Sequence, residues 1–299
     1  MNKGKTEFQT FLAEEVRKVE GTYYPVRAGT LRRWLTKKAP IRKLHPNPGD
    51  EFCFPDIGPN YEIMSEYETM YARIMNNEVD PILLKGGVAE PIMVEKAHPD
   101  GYIILNGHHR WAAARRVGVN KLTIQIVDLT QEQDLLKMLH SAKSNKRVTM
   151  DLDEVVFRPE TDPYLEKPLP FPRRLNYKER IRLGIPALMH DLIAQGYDIW
   201  VYSSEYYSFL HLLRYFKCYH VHLTGIVTGT ARKTPHGADF QKKIEKMTAS
   251  QYASTLHIDN DSMLQTFRDS KEYQEYPIIA DDATWSQEAR RVLRQLKNH

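Results

Sequence analysis

One stretch constrains the fold of this chain more than any other: Lys146-Arg147-Val148-Thr149-Met150-Asp151-Leu152-Asp153-Glu154-Val155-Val156-Phe157. It reads as a short buried strand that ends in two carboxylates, Asp151 and Asp153. Residues two apart on a strand point to the same side, so both acids are delivered to one place. Open α/β sheets collect their ligands outside the carboxyl ends of the strands. Two like charges held that close repel unless a cation or a shared proton lies with them. The alternative is a solvated turn that follows a strand.

What comes downstream decides between the two. Arg158 to Asn176 holds five prolines (Pro159, Pro163, Pro168, Pro170 and Pro172), so it is neither helix nor central strand. It also carries Arg158, Lys167, Arg173 and Arg174 beside Tyr164 and Phe171, a composition suited to an anionic, ring-bearing substrate, the alternative being a plain surface loop stiffened by its prolines. A helix is predicted over 185–195, stopped by Gly196, and then a buried strand over 197–202 that ends in Ser203-Ser204. A helix over 207–216 and a strand over 223–227 follow. Leu256-His257-Ile258-Asp259-Asn260-Asp261 reads as another strand ending in acids. Ile278-Ile279-Ala280 reads as a last strand, and Trp285 to Leu296 as a closing amphipathic helix.

Asp151-Leu152-Asp153-Glu154-Val155-Val156 resembles the first motif, D-x-D-x-[TV], of the haloacid-dehalogenase (HAD) superfamily, and its Glu154 resembles the small carboxy-terminal-domain phosphatases. The resemblance covers about residues 146–299. It implies a Rossmannoid parallel sheet and a phosphohydrolase that works through an aspartyl-phosphate. Asp151 would be the nucleophile and Asp153 the general acid and base. Ser203, with Ser204 as the alternative, would bond the transferring phosphoryl group. The lysine of the third motif would be Lys242 or its competitor Lys233. Mg²⁺ would be held by Asp151, Asp153 (through its backbone carbonyl) and Asp259, with Asp261 assisting. The proline-rich segment would be the flap over the site. The histidines show no zinc-type spacing.

The amino half has a different pattern. Residues 6–20 are predicted as an amphipathic helix stopped by Gly21, with a short helix near Leu31–Thr36 and another over 62–76. Gly86-Gly87 breaks the chain, and strands at Pro91–Glu95 and Tyr102–Leu105 form a hairpin about Pro99-Asp100-Gly101. The hairpin runs into Asn106-Gly107-His108-His109-Arg110, the start of a helix that Gly118 stops. A helix N-terminus offers free N–H groups to phosphate, Gly107 lets backbone come close, and His109 and Arg110 add donors. The alternative is a plain helix start with a surface histidine pair. Asp50 and Glu51, on the preceding turn-rich loop, are candidates for metal binding or base catalysis, against a solvated turn.

Taken together, Pro91-Ile92-x-Val94, Tyr102-Ile103-Ile104-Leu105, Gly107-His108-His109-Arg110 and Ala112-Ala113 resemble the ParB/sulfiredoxin superfamily over about residues 40–128. That resemblance implies nucleotide binding by Asn106, Gly107, His108, His109 and Arg110. Sulfiredoxins carry a cysteine where His108 stands, which argues against a reductase. Residues 131–146 give one helix and a polar linker, which leaves no room for a helix-turn-helix DNA reader. The Gly-His-His-Arg form is similar to free-serine kinases of the superfamily. It implies phosphoryl transfer from ATP or another nucleotide to a hydroxyl.

The 299 residues suffice for two α/β-type domains, expected at 1–140 and 146–299. A net charge of +4 permits an anionic substrate without demanding nucleic acid. Two cysteines, Cys53 and Cys218, argue against a disulfide scaffold, and no run is apolar enough for a membrane helix. Residues 1–20 lack a signal-peptide core, so a cytoplasmic location is the expectation. The expected function is a phosphotransfer enzyme acting on phosphates of nucleotides or nucleic-acid ends. A phosphatase with a nucleotide-sensing amino half, or a non-catalytic nucleic-acid-binding protein, are the alternatives.

Overall fold

The computed structural model describes residues 3–29, 36–80, 87–230 and 235–296. The expected helix near Leu31–Thr36 falls almost wholly outside the described residues, as does Lys233. The chain is α/β and divides into two compact units. The first is Met1–Asp128 with Arg232–Ala238, and the second is Leu129–Ala231 with Asp239–His299.

In the first unit, helix α1 (Lys3–Thr22) runs through Gly21 rather than stopping at it. Two further helices are α2 (Tyr61–Met75) and α3 (His108–Arg116). The strands are β1 (Tyr24–Pro25), β2 (Lys37–Pro40), β3 (Leu44–His45), β4 (Ile92–His98), β5 (Tyr102–Asn106) and β6 (Lys121–Ile126). They form a mixed sheet in the order β2-β6-β4-β5-β3, with β1 beside β4. The expected hairpin is present as the antiparallel pair β4–β5. Ile92, Val94, Ile104, Ile124 and Trp111 are buried together, so α3 is a core helix. Asn60 caps α2 by accepting from the N–H groups of Glu62 and Ile63.

The second unit begins earlier than the polar linker at 141–145. Helix α4 (Glu132–Ser141) buries Leu135 and Met138 in this unit's core. Thr130 donates from its hydroxyl to the Ile226 carbonyl at 2.9 Å. The remaining helices are α5 (Ile185–Ala194), α6 (Phe209–Lys217), α7 (Pro235–Gln251) and α8 (Trp285–Leu296). The residues of α7 from Asp239 on belong to this unit.

Its strands are β7 (Lys146–Asp151), β8 (Asp198–Ser203), β9 (Gly225–Thr228), β10 (Ser254–Ile258), β11 (Ser262–Phe267) and β12 (Tyr273–Pro277). The sheet order is β12-β11-β10-β7-β8-β9. The run β10-β7-β8-β9 is parallel; β11 pairs antiparallel with β10, and β12 pairs antiparallel with β11. Strand β7 is therefore interior, as its buried Val148, Thr149 and Met150 require. α8 buries Trp285, Ala289, Val292 and Leu293, the spacing of one helical face.

One strand expectation is corrected. Residues 278–280 are not a strand; the sheet is extended by β11 and β12 before them. β12 is largely exposed, so it has no apolar run to betray it.

Candidate functional site

In the second unit three strand ends bring their polar residues together. Asp151 ends β7, Ser203 ends β8, and Asp259 follows β10 directly. Met150 of β7 and Ile258 of β10 are register partners, so Asp151 and Asp259 are the next residues along two adjacent parallel strands.

After Asp151 the chain makes one turn of π-helix, Leu152–Val156. Asp151 caps that turn: its Oδ1 accepts from the N–H of Asp153 (2.7 Å) and of Glu154 (2.9 Å). Burial holds the Asp151 carboxyl above the usual carboxylate range; these two bonds pull it back, while the charges of Asp153 and Asp259 push it up further.

Asp153 is turned towards the end of β8. Its carboxylate accepts from Ser203 Oγ at 2.9 and 3.0 Å, from Ser204 N–H at 2.8 Å and from Ser204 Oγ at 2.9 Å. Ser203 is fully buried and Ser204 is exposed. Both serines thus orient Asp153, and the exposed Ser204 is the one open to a ligand. The Ser203 carbonyl is fixed in turn by the N–H and hydroxyl of Thr230, both at 3.1 Å.

Lys242 is exposed on α7, and no hydrogen bond or ion pair ties it to Asp151, Asp153 or Ser203. Asp261 lies in the turn before β11, where its carbonyl accepts from Ile278 N–H at 2.7 Å. Among the described residues no group of three or more His, Cys, Asp or Glu side chains is placed to hold a metal ion.

A neighbouring network was not foreseen. Asn260 Oδ1 accepts from Arg158 Nη2 (3.2 Å) and Arg182 Nη1 (2.9 Å). Arg182 is buried, bonds Asp282 at 2.6 Å, and lies over the Trp285 ring at 4.1 Å. Trp285 Nε1 donates to the Asn260 carbonyl at 2.6 Å. The ends of the segment from 158 to 182 are thereby fastened beside Asp259. The sequence signal was thin: only Arg158 stood out, as part of a basic stretch.

The first unit gives a different answer for the Gly-His-His-Arg turn. Gly107 sits at φ +103°, and a Cβ there would meet Arg110 Nη2 at 3.0 Å and Ile92 at 3.2 Å, so glycine is required. The side chains that follow point into the protein. His108 Nε2 accepts from Asn47 N–H (3.1 Å) and His109 Nε2 from Asn60 N–H (3.0 Å). The Phe52 ring stacks on His108 at 5.5 Å and stands edge-on to His109 at 4.9 Å. Arg110 is buried and donates from Nη1 to the carbonyls of Gly87 (3.2 Å) and Glu90 (2.6 Å).

Here the His109 and Arg110 side chains, expected to grip phosphate, hold the 47–60 loop and the 87–90 turn. Asn106 is exposed at the end of β5. Asp50 accepts from Phe52 N–H at 3.0 Å and faces His108 Nδ1 at 3.5 Å, and the half-buried Glu51 opens the short 3₁₀ turn Glu51–Cys53.

This arrangement has a pH consequence. With Nε2 accepting, the neutral His108 ring carries its proton on Nδ1, towards Asp50. Burial pulls its pKa from 6.5 down to about 4, against the attraction of Asp50. A folded pKa below the unfolded one means that protonation favours the unfolded chain. The stability is whole above the unfolded pKa near 6.5 and is lost as pH falls below it. Urea unfolding across that range is expected to show this loss in the wild-type chain and a flatter profile in His108→Gln. Parallel profiles would show that His108 does not titrate on unfolding.

No helix among the described residues is long and apolar enough to cross a membrane. No curated protein matches the chain. The family model described as ParB N-terminal domain matches residues 68–142, so this part of the first unit and the start of the second are similar to that domain.

Proposed function

We propose that the carboxyl-terminal unit is a Mg²⁺-dependent phosphohydrolase of the haloacid-dehalogenase type. The observation that carries this reading is the convergence of Asp151, Asp153, Ser203 and Asp259 at the carboxyl ends of the adjacent parallel strands β10, β7 and β8. That is where an open sheet of this kind holds its ligand.

The residues present fit a hard cation. Asp151 and Asp259 stand next to each other at the ends of adjacent parallel strands; burial raises the Asp151 pKa most and the Asp153 and Asp259 charges add to it, so a cation there would offset negative charge. Mg²⁺ keeps several waters, so it does not require a third side-chain carboxylate. Asp151, Asp259 and the Asp153 carbonyl would hold it, and when bound it neutralises phosphate charge.

The chain's own chemistry follows. An Asp151 oxygen forms a bond to phosphorus as the ester P–O bond breaks, and the leaving oxygen takes a proton from Asp153. Asp153 then takes a proton from water, which attacks phosphorus. Inorganic phosphate leaves and the Asp151 carboxylate is restored. Ser203 is a positioning residue here, holding Asp153 by two contacts to its carboxylate.

The test is phosphate release from an aryl phosphate. It is expected to require Mg²⁺, to stop on chelation by EDTA and to return on adding Mg²⁺ back. Release that ignores EDTA would overturn the metal assignment.

For the amino-terminal unit, similarity to the ParB N-terminal domain supports a nucleotide- or nucleic-acid-binding role. With His109 and Arg110 engaged by the protein, its contribution to an anion is the N-terminal backbone of α3. Binding is therefore favoured over kinase-type transfer from ATP.

A further inference from the structure

The segment after the candidate site identifies a substrate class, an inference that rests on the phosphohydrolase reading. Its two ends are pinned. Arg158 N–H bonds the Arg180 carbonyl at 3.0 Å, Arg182 N–H the Val156 carbonyl at 2.9 Å, and Glu166 N–H the Ile181 carbonyl at 2.8 Å. Leu169 is buried in the core, and the Tyr177 ring lies 5.0 Å from that of Tyr215. The base of this flap follows Val156 directly, and Arg158 and Arg182 at its two ends both bond Asn260, the residue after Asp259.

Between those anchors, residues 167–178 carry Lys167, Arg173, Arg174 and Lys178 and no carboxylate. All four cations are exposed. Phe171 is 70% exposed and Leu175 66%, on a backbone stiffened by Pro168, Pro170 and Pro172. A lone exposed cation adds little to the binding of one small phosphate, because water and salt screen it. A row of them gains strongly on a polyanion, where each phosphate neutralised releases counterions. An exposed ring in the same row supplies a stacking platform for a base.

We propose that the substrate is a phosphate carried at the end of a single-stranded polynucleotide. The neighbouring backbone phosphates lie along Lys167, Arg173, Arg174 and Lys178, and a base stacks on Phe171. The bond broken is the terminal phosphomonoester, by the steps given above, so the products are inorganic phosphate and a strand ending in hydroxyl.

The experiment compares three substrates at fixed Mg²⁺: an aryl phosphate, short single-stranded DNA and RNA oligonucleotides phosphorylated at the 5′ or the 3′ end, and a serine phosphopeptide. Turnover of the aryl phosphate tests the phosphohydrolase reading by itself. For the inference, kcat/KM on at least one phosphorylated oligonucleotide is expected to exceed that on the aryl phosphate and to fall steeply with added salt. In Phe171→Ala and in the double variant Arg173→Ala/Arg174→Ala, the ratio of oligonucleotide to aryl phosphate kcat/KM is expected to drop roughly tenfold. The salt slope is expected to shrink in the double variant only. Aryl phosphate turnover with a preference for the phosphopeptide, or ratios unmoved in both variants, would overturn the polynucleotide assignment and leave the hydrolase standing.

Discussion

Asp151→Asn is expected to lower Mg²⁺-dependent phosphate release from an aryl phosphate by a thousandfold or more, which is roughly 4 kcal/mol of barrier. Asparagine is close to isosteric and keeps a side-chain carbonyl oxygen. It can still accept the N–H groups of Asp153 and Glu154, so the turn that follows β7 survives. What it removes is the anionic oxygen that forms the bond to phosphorus, and one charge of the proposed cation site. The variant should therefore unfold at nearly the wild-type urea concentration while losing turnover. That pairing separates chemistry from folding. Wild-type turnover in the variant would remove Asp151 as nucleophile, and with it the proposed reaction. A variant that fails to fold would instead show Asp151 to be a structural cap, a role its two backbone bonds already give it.

The acids and serines were legible because each stands at a change of pattern. A run of buried residues in β7, β8 or β10 gives way to polar ones, and that change marks the carboxyl end of a strand. Parallel neighbours then place such ends side by side. The network around Asn260 could not be read that way. Arg158 and Asp282 stand 124 residues apart, and Asn260 had no pattern of its own beyond sitting between two aspartates. The Gly-His-His-Arg turn shows a different limit. A histidine nitrogen serves a loop N–H as well as a ligand, and the one-dimensional pattern is the same in both cases. Only the return of the 47–60 loop over α3 decides that His108 and His109 accept from Asn47 and Asn60. Strand β12 was missed because an edge strand with exposed faces lacks an apolar run.

Gly225→Ala is expected to destabilise the chain by about 3 kcal/mol, far outside the range of surface substitutions. Gly225 opens β9 and is the register partner of Trp200 on β8. A Cβ built there would lie 2.0 Å from Trp200 Cδ2 and 2.1 Å from Cε3, which no rotamer of the new residue can relieve, since alanine has none. The indole cannot step aside cheaply. It is fully buried, and its Nε1 donates to Tyr252 Oη at 2.9 Å, which in turn bonds Asp198 at 3.2 Å. The Arg147 guanidinium lies 5.9 Å from the Trp200 ring and 5.5 Å from that of Tyr252. Relief therefore means moving β9 off β8, at the strand that ends in Ser203. Gly21→Ala is the matched control, because a Cβ there meets nothing within 4 Å and the site is helical, where alanine is favoured. In urea unfolding Gly225→Ala should shift the midpoint down sharply while Gly21→Ala leaves it unchanged or raises it. Equal midpoints for the two variants would mean that Trp200 does not cover Gly225 in solution. The packing that sets the end of β8 against Asp153 would then need a different account.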